Sequence, residues 1–265
     1  MTPVKRTRVA CTKNNSQYML LLLLSVGVAL PVEGAERRTE VELSQRYEHL
    51  DSGFSAWQAQ RLDAQTRGAD GVTWYGAALR EQRYGGWDEG VELGAAIPLT
   101  EHWVLQPEVG TTFGADFLPR WYADLRAQRV FPMGWVSSVS LRRTAYDTSQ
   151  VDRLALGVER YWGMWRGAYT LNVSDVENAG TPVGHAVALD RYYNDRSFVG
   201  LRATSGREEE VLPDSNVINT SVSGVGLRGR HWLDADWAIA WDLGWISQGD
   251  LYNRYGAQVG IRRAF

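Results

Sequence analysis

The side chains of this 265-residue chain that could do covalent chemistry are few. Four histidines are present, His49, His102, His185 and His231, with a single cysteine, Cys11. Acyl hydrolysis needs a nucleophile, a base and a group that orients the base, all within reach. Only His49 has such partners close by in sequence, in His49-Leu50-Asp51-Ser52. A lipid or acyl hydrolase is therefore one alternative reading, tested by the geometry of those residues. His102 and His231 each adjoin a tryptophan beside a tight-turn sequence and read as interfacial residues. His185 shares its parity with Val183, Val187 and Leu189 and so falls on an apolar face. No metal-ligand spacing and no phosphate-binding glycine loop is present, so neither a cofactor nor catalysis is expected.

A larger set of charged and amide side chains alternates with apolar ones. It comprises Glu92, Gln106, Glu108, Asp124, Arg126, Gln128, Glu159, Arg166, Arg202, Asp242, Arg254 and Arg262, with Asn172, Asp190 and Gln258 in the same phase. Charges within a membrane segment are costly unless paired or wetted. Such residues can plug an interior through arginine–carboxylate pairs. They can equally line a passage for small hydrophilic solutes or a saccharide chain. Pairing depends on strand register and shear, so sequence leaves both open.

The elements that must position them are strands. Trp237, Ile239, Trp241, Leu243 and Trp245 share one face, against Ala238, Ala240, Asp242 and Gly244. The same period of two marks Trp103 to Phe113, Leu154 to Glu159 and Trp165 to Val173. Alternation of this kind specifies half-buried strands. Fourteen candidates follow: 40–49, 55–64, 71–81, 87–97, 103–113, 120–130, 134–145, 151–161, 165–175, 183–193, 197–206, 217–230, 236–247 and 253–265. Alternation is weakest before residue 82 and over 217–230, which leaves 12–14 strands. Pro107 removes one ladder hydrogen bond. Each candidate has about the 10 residues that a tilted strand needs to cross a bilayer.

Tight connections (99–102, 132–134, 163–164, 194–196 and 233–236) alternate with longer or more polar ones (114–120, 147–150, 177–182, 207–216 and 248–253). Outer-membrane barrels have short periplasmic turns and long outer loops. The chain holds 12 Trp against 6 Phe, an excess suited to membrane interfaces rather than to a dry core. Trp103, Trp135, Trp162, Trp165, Trp232 and Trp237, with Tyr161 and Tyr193, flank the tight turns. Tyr84, Trp87, Trp121, Tyr146, Trp245 and Tyr252 sit beside the long loops. A soluble β-sandwich would need a dry face, whereas the face opposite the tryptophans here carries Gly, Ala, Gln, Glu and Arg.

Residues 1–35 read as a secretory signal peptide. Lys5, Arg6, Arg8 and Lys13 precede the apolar run Tyr18–Leu30, with cleavage expected after Gly34 or Ala35. That run is shorter than the roughly 20 residues of a spanning helix. Removing residues 1–35 changes the balance from 28 basic and 31 acidic side chains to 24 and 30, and removes Cys11. This excludes a disulfide scaffold, and the acidic balance excludes nucleic acid as a partner. At the other end, Tyr255, Val259, Ile261 and Phe265 form an apolar face that Arg263 interrupts. A terminal aromatic closing such a strand resembles the signal that the barrel-assembly machinery reads by strand addition.

The chain as a whole resembles the YaiO family of outer-membrane β-barrel proteins over about residues 40–265. The resemblance rests on Phe131-Pro132, Gly157-Val-Glu-Arg-Tyr161, Tyr192-Tyr193, Gly200-Leu-Arg-Ala-Thr-Ser-Gly206, Ser223 to Trp232 and Gln248-Gly-Asp-Leu-Tyr252. It implies an outer-membrane location and little defined chemistry. The expectation is an all-β, transmembrane antiparallel β-barrel over 36–265, embedded in outer-membrane lipid. It would serve as a passage or surface component for polar solutes or envelope polysaccharide. A plugged structural or partner-binding barrel is the alternative.

Overall fold

The computed structural model describes residues 38–146, 149–177, 180–194, 196–211 and 217–265. The signal peptide over 1–35 lies outside the described residues. The first seven strands are β1 (Thr39–Leu50), β2 (Trp57–Arg67), β3 (Thr73–Arg83), β4 (Gly86–Pro98), β5 (Trp103–Phe113), β6 (Trp121–Phe131) and β7 (Trp135–Ala145). They continue as β8 (Gln150–Trp162), β9 (Trp165–Val176), β10 (Val183–Tyr193), β11 (Ser197–Val211), β12 (Val217–Trp232), β13 (Trp237–Gln248) and β14 (Tyr252–Ala264). Each pairs antiparallel with its sequence neighbours, and β1 pairs with β14 to close the barrel. Closure leaves no free edge, so every strand finds ladder partners on both sides without water.

The parity of each strand fixes two faces. On the outer face the large apolar side chains are exposed, Leu141 at 61% and Ile261 at 58%. A soluble sheet would bury such a continuous surface; a lipid-facing barrel leaves it bare. β1 to β3 are less apolar outside. Gln45 and Gln60 are outward register partners, as are Gln58 and Gln82.

The start of β1, the end of β14 and the short connections share one rim, called the turn rim below; the opposite end is the loop rim. Turn-rim connections are closed by side chains that accept from the backbone. Asp234 Oδ1 accepts from the amides of Asp236 and Trp237, both at 2.7 Å. Thr100 Oγ1 accepts from His102 and Trp103 at 3.2 and 3.1 Å. Two connections depart from the alternation of short and long. Residues 68–72 make a longer link at the turn rim. Tyr84 (φ 51°) and Gly85 (φ 86°) make a two-residue hairpin at the loop rim. Positive φ at both central positions matches the twist of the strands they join. The expected 207–216 loop also begins later, because β11 continues to Val211. Pro107 interrupts the β4–β5 ladder, which runs to Gly94↔Glu108 and resumes at Ile97↔Leu105.

The aromatic girdle at the turn rim is built from cross-strand pairs. Trp103, Trp135, Trp165 and Trp237 stand opposite Arg129, Arg160, Arg191 and Arg263 in register. Each guanidinium lies over its indole at 5.1–5.6 Å. Arg263 therefore interrupts the apolar face where lipid headgroups begin, with its charge held on Trp237 and Phe265. A double-mutant cycle of Trp135→Ala and Arg160→Ala should give a coupling energy of about 0.5–1 kcal/mol in urea unfolding. Strict additivity would remove the pairing from the account.

Trp232 does not belong to this girdle. The inward parity of β12 buries it, with Arg196 3.8 Å and Arg38 4.9 Å from its ring centre. Tyr161 also faces inward. At the loop rim, Tyr252 is buried with Leu50 and Trp57, and Tyr84 packs against that cluster. Trp87 and Trp121 remain outside.

Candidate functional site

Interior side chains meet across the barrel rather than only along it. Arg46 reaches Glu81 from β1 to β3 at 3.2 Å, and Arg228 reaches Asp190 from β12 to β10 at 3.0 Å. Arg61 reaches Glu92, and Arg202 reaches Asp242, each again two strands away. Strands two apart are separated by roughly 9–10 Å, so these contacts are made on the concave side. Glu92, Gln106, Glu108, Asp124, Arg126, Gln128, Glu159, Arg166, Arg202, Asp242, Arg254 and Arg262 all have this inward parity. Tyr255, Val259, Ile261 and Phe265 have the opposite parity and are exposed.

The densest network sits toward the turn rim. Arg166 donates Nε to Glu159 and Nη1 to Asp190, both at 2.7 Å. Arg228 Nη2 donates to both oxygens of Asp190 at 3.0 Å. Asp190 is 1% exposed. It lies over Gly200, where a Cβ would collide with Oδ1. At the closing seam, Arg262 donates to Glu42 and Glu40 at 2.7 Å, tying β14 to β1.

At the loop rim one side of the interior is filled. Asp88, buried on β4, accepts from the backbone amides of Asp116, Phe117 and Leu118 at 3.0, 2.9 and 2.7 Å. The 114–120 loop is thereby drawn inward, and Phe117 and Leu118 are buried. Arg83 lies 4.4 Å from the Trp57 ring and 5.4 Å from Phe117, and its Nε donates to Glu81 at 2.9 Å. Asp51 pins the first turn to β14 by accepting from Asn253 N at 2.7 Å and Nδ2 at 2.9 Å. The Asn253 backbone amide, followed by its side-chain amide, holds the Asp51 carboxyl below its ordinary range. Ser52 Oγ donates to Asp51 at 3.0 Å. His49 points outward from β1. The constellation thus joins the candidate nucleophile to the acid rather than to the base.

The opposite side of the interior is open. A cavity of about 250 Å³ is lined by β6 to β12. Its wall carries Arg126, Arg142, Arg153, Arg166, Arg202 and Arg228, with one carboxylate, Glu159, among small residues such as Ala155, Ala168 and Thr170. Inward carboxylates concentrate instead on β1 to β5, at Glu40, Glu42, Glu48, Glu81, Glu92 and Glu108. Carboxylates thus outnumber the inward Arg46, Arg61 and Arg83 on that side, and arginines outnumber Asp124, Glu159 and Asp190 on the other.

The profile of the YaiO membrane beta barrel domain matches residues 38–211. The chain belongs to this family. No curated protein matches it. Among solved structures, Omp33 of Acinetobacter baumannii has a TM-score of 0.53 at 10% identity, covering 85% of this chain and 98% of that one. An anion-selective porin from Comamonas acidovorans has a TM-score of 0.51 at 10% identity, over 87% and 99%. A bacterial polysaccharide outer membrane secretin has a TM-score of 0.51 at 9% identity, over 86% and 98%. At these identities the likeness is one of fold, that of porin-like outer-membrane barrels.

Within this YaiO-family barrel, Asp88, Arg142 and Arg153 are functional candidates that the alternation argument passed over. Their signal was available. Asp88 shares the parity of Glu92, Arg142 that of Ser138 and Ser140, and Arg153 that of Ala155 and Glu159. Arg142 stands beside Arg143, which faces outward and pairs with Asp152. Two adjacent arginines thus conceal opposite roles.

Proposed function

We propose that this barrel is a passage for small polar solutes across the outer membrane, selective for anions, running along the β6–β12 wall. The observation that carries the reading is the arginine-lined cavity on that wall. Cationic linings favour anions by lowering their energy along the path. The paired and aromatic-filled β1–β5 side supports a second role for that half, as a plug that stiffens the barrel and narrows the path. Short turns on the side where β1 begins and β14 ends support a periplasmic turn rim. Export by the 1–35 signal, and assembly through the Tyr255–Phe265 strand, belong to the same reading.

Planar-bilayer recording tests it. With about a tenfold KCl gradient across the membrane, the reversal potential should carry the sign of chloride preference. Arg126→Ala with Arg166→Ala should weaken that preference. Absence of conductance from folded protein, or a preference for potassium, would overturn the proposal.

A further inference from the structure

Three arginines of the cavity wall are not neutralised as their neighbours are. Arg166, Arg202 and Arg228 each reach a carboxylate. Arg126, Arg142 and Arg153 make no hydrogen bond to a carboxylate among the described residues; Asp124, the register partner of Arg142 on β6, accepts from Ser140 Oγ at 2.9 Å. Arg153 approaches Asp124 no closer than 3.9 Å. Its Nε and Nη2 are buried without a hydrogen-bond acceptor among the described residues. Arg142 is 6% exposed; among the described residues its one hydrogen bond is a 3.4 Å bond to Thr144 Oγ1, and the Tyr122 ring centre lies 3.6 Å from its Cζ.

Register makes the crowding acute. Arg142 and Arg153 are direct partners across β7 and β8, and Arg126 pairs with Ser140, one inward position from Arg142. Like charges directly opposite destabilise a sheet, and buried donors without acceptors add their own cost. An anion between the guanidiniums would relieve both. Farther round the same cavity, Asn172 Oδ1 and Thr204 Oγ1 are also buried without partners among the described residues. One part of the wall lacks a negative acceptor. Another lacks donors such as hydroxyl groups.

We infer that this cavity binds a hydroxylated carboxylate, a sugar acid, with its carboxylate on Arg126, Arg142 and Arg153 and its hydroxyls on Asn172 and Thr204. A cavity of about 250 Å³ suits one small molecule of this kind. The inference rests on the passage reading only for how the ligand arrives.

Calorimetric titration of the folded, full-length barrel in micelles tests it, with sodium glucuronate as probe and glucose, acetate and inorganic phosphate for comparison. Glucuronate should bind saturably, and each comparison probe about tenfold more weakly. Arg142→Gln and Arg153→Gln should each lower glucuronate affinity about tenfold. Asn172→Ala should weaken glucuronate binding and leave acetate unchanged. Heat-modifiable migration confirms that each variant is folded. Arg126→Gln, which breaks no ion pair, replaces any variant that is not. Glucose or phosphate binding as tight as glucuronate, or folded arginine variants with unchanged affinity, would overturn the assignment. A barrel that binds glucuronate but conducts no ions would overturn the passage and leave the site standing. One that conducts but does not bind glucuronate would do the reverse.

Discussion

Replacing Asp190 with alanine should destabilise the folded barrel by about 3–5 kcal/mol, read as a lower urea midpoint in detergent. Asp190 is almost wholly buried and accepts from two arginines on different strands. Its removal leaves Arg228 without its carboxylate and Arg166 with Glu159 alone, both inside the barrel. Breaking one partner of a buried network costs far more than the network itself contributes, because the stranded charges stay desolvated. Gly200→Ala should reproduce part of this loss without removing any charge, since its Cβ would occupy the position of Asp190 Oδ1. The bidentate pair of Arg143 and Asp152 supplies the contrast. Its bonds are as short, 2.7 and 2.8 Å, but both side chains are exposed on the outer face. Two residues from the loop-rim ends of β7 and β8, the pair lies where water screens it and makes it worth little, so breaking it should move the midpoint much less. Equal effects at the two sites would show that burial does not govern these ion pairs.

The second large effect is expected at Asp88. Asp88→Ala removes the single acceptor of three backbone amides at the root of the 114–120 loop. Hydrogen bonds to a charged acceptor contribute about 1.5–3 kcal/mol each, and the three share one carboxylate. The loop should therefore open at a cost to the folded state of roughly 3 kcal/mol or more. Phe117, buried in the intact protein, should become a chymotrypsin site in folded D88A while the parent resists cleavage. Single-channel conductance should rise, because Phe117 and Leu118 no longer fill one side of the interior at the loop rim. Asp88→Asn should be intermediate, since its amide retains one acceptor oxygen. A D88A loop as protected as the parent's would remove Asp88 as the latch.

Strands of high contrast could be read directly from the amino-acid order. β5 and β10 begin and end at Trp103–Phe113 and Val183–Tyr193, as the alternation predicts. β2 was less legible for a physical reason. Its outward residues include Gln58, Gln60 and Thr66 and its inward ones Arg61, Asp63 and Gln65, so neither face stands out. The girdle is legible where tryptophan has outward parity; Trp232 adjoins a turn, but its parity turns it inward. The 114–120 loop could not be read as inward, because the side chain that draws it there lies one hairpin earlier, on β4.

The amino-acid order by itself determined the strands, their faces, the aromatic rims and the identity of most interior side chains. These follow from a period of two, which is local and needs no partner. Only the tertiary structure decided that there are fourteen strands in a closed ring and that Arg166 and Arg228 share Asp190. It alone left Arg142 opposite Arg153 and filled one side of the interior while the other stayed open. Those outcomes depend on register accumulated across successive hairpins and on closure between β1 and β14, residues more than two hundred positions apart. A shift of one residue in any hairpin would exchange its faces, and no local pattern records the sum.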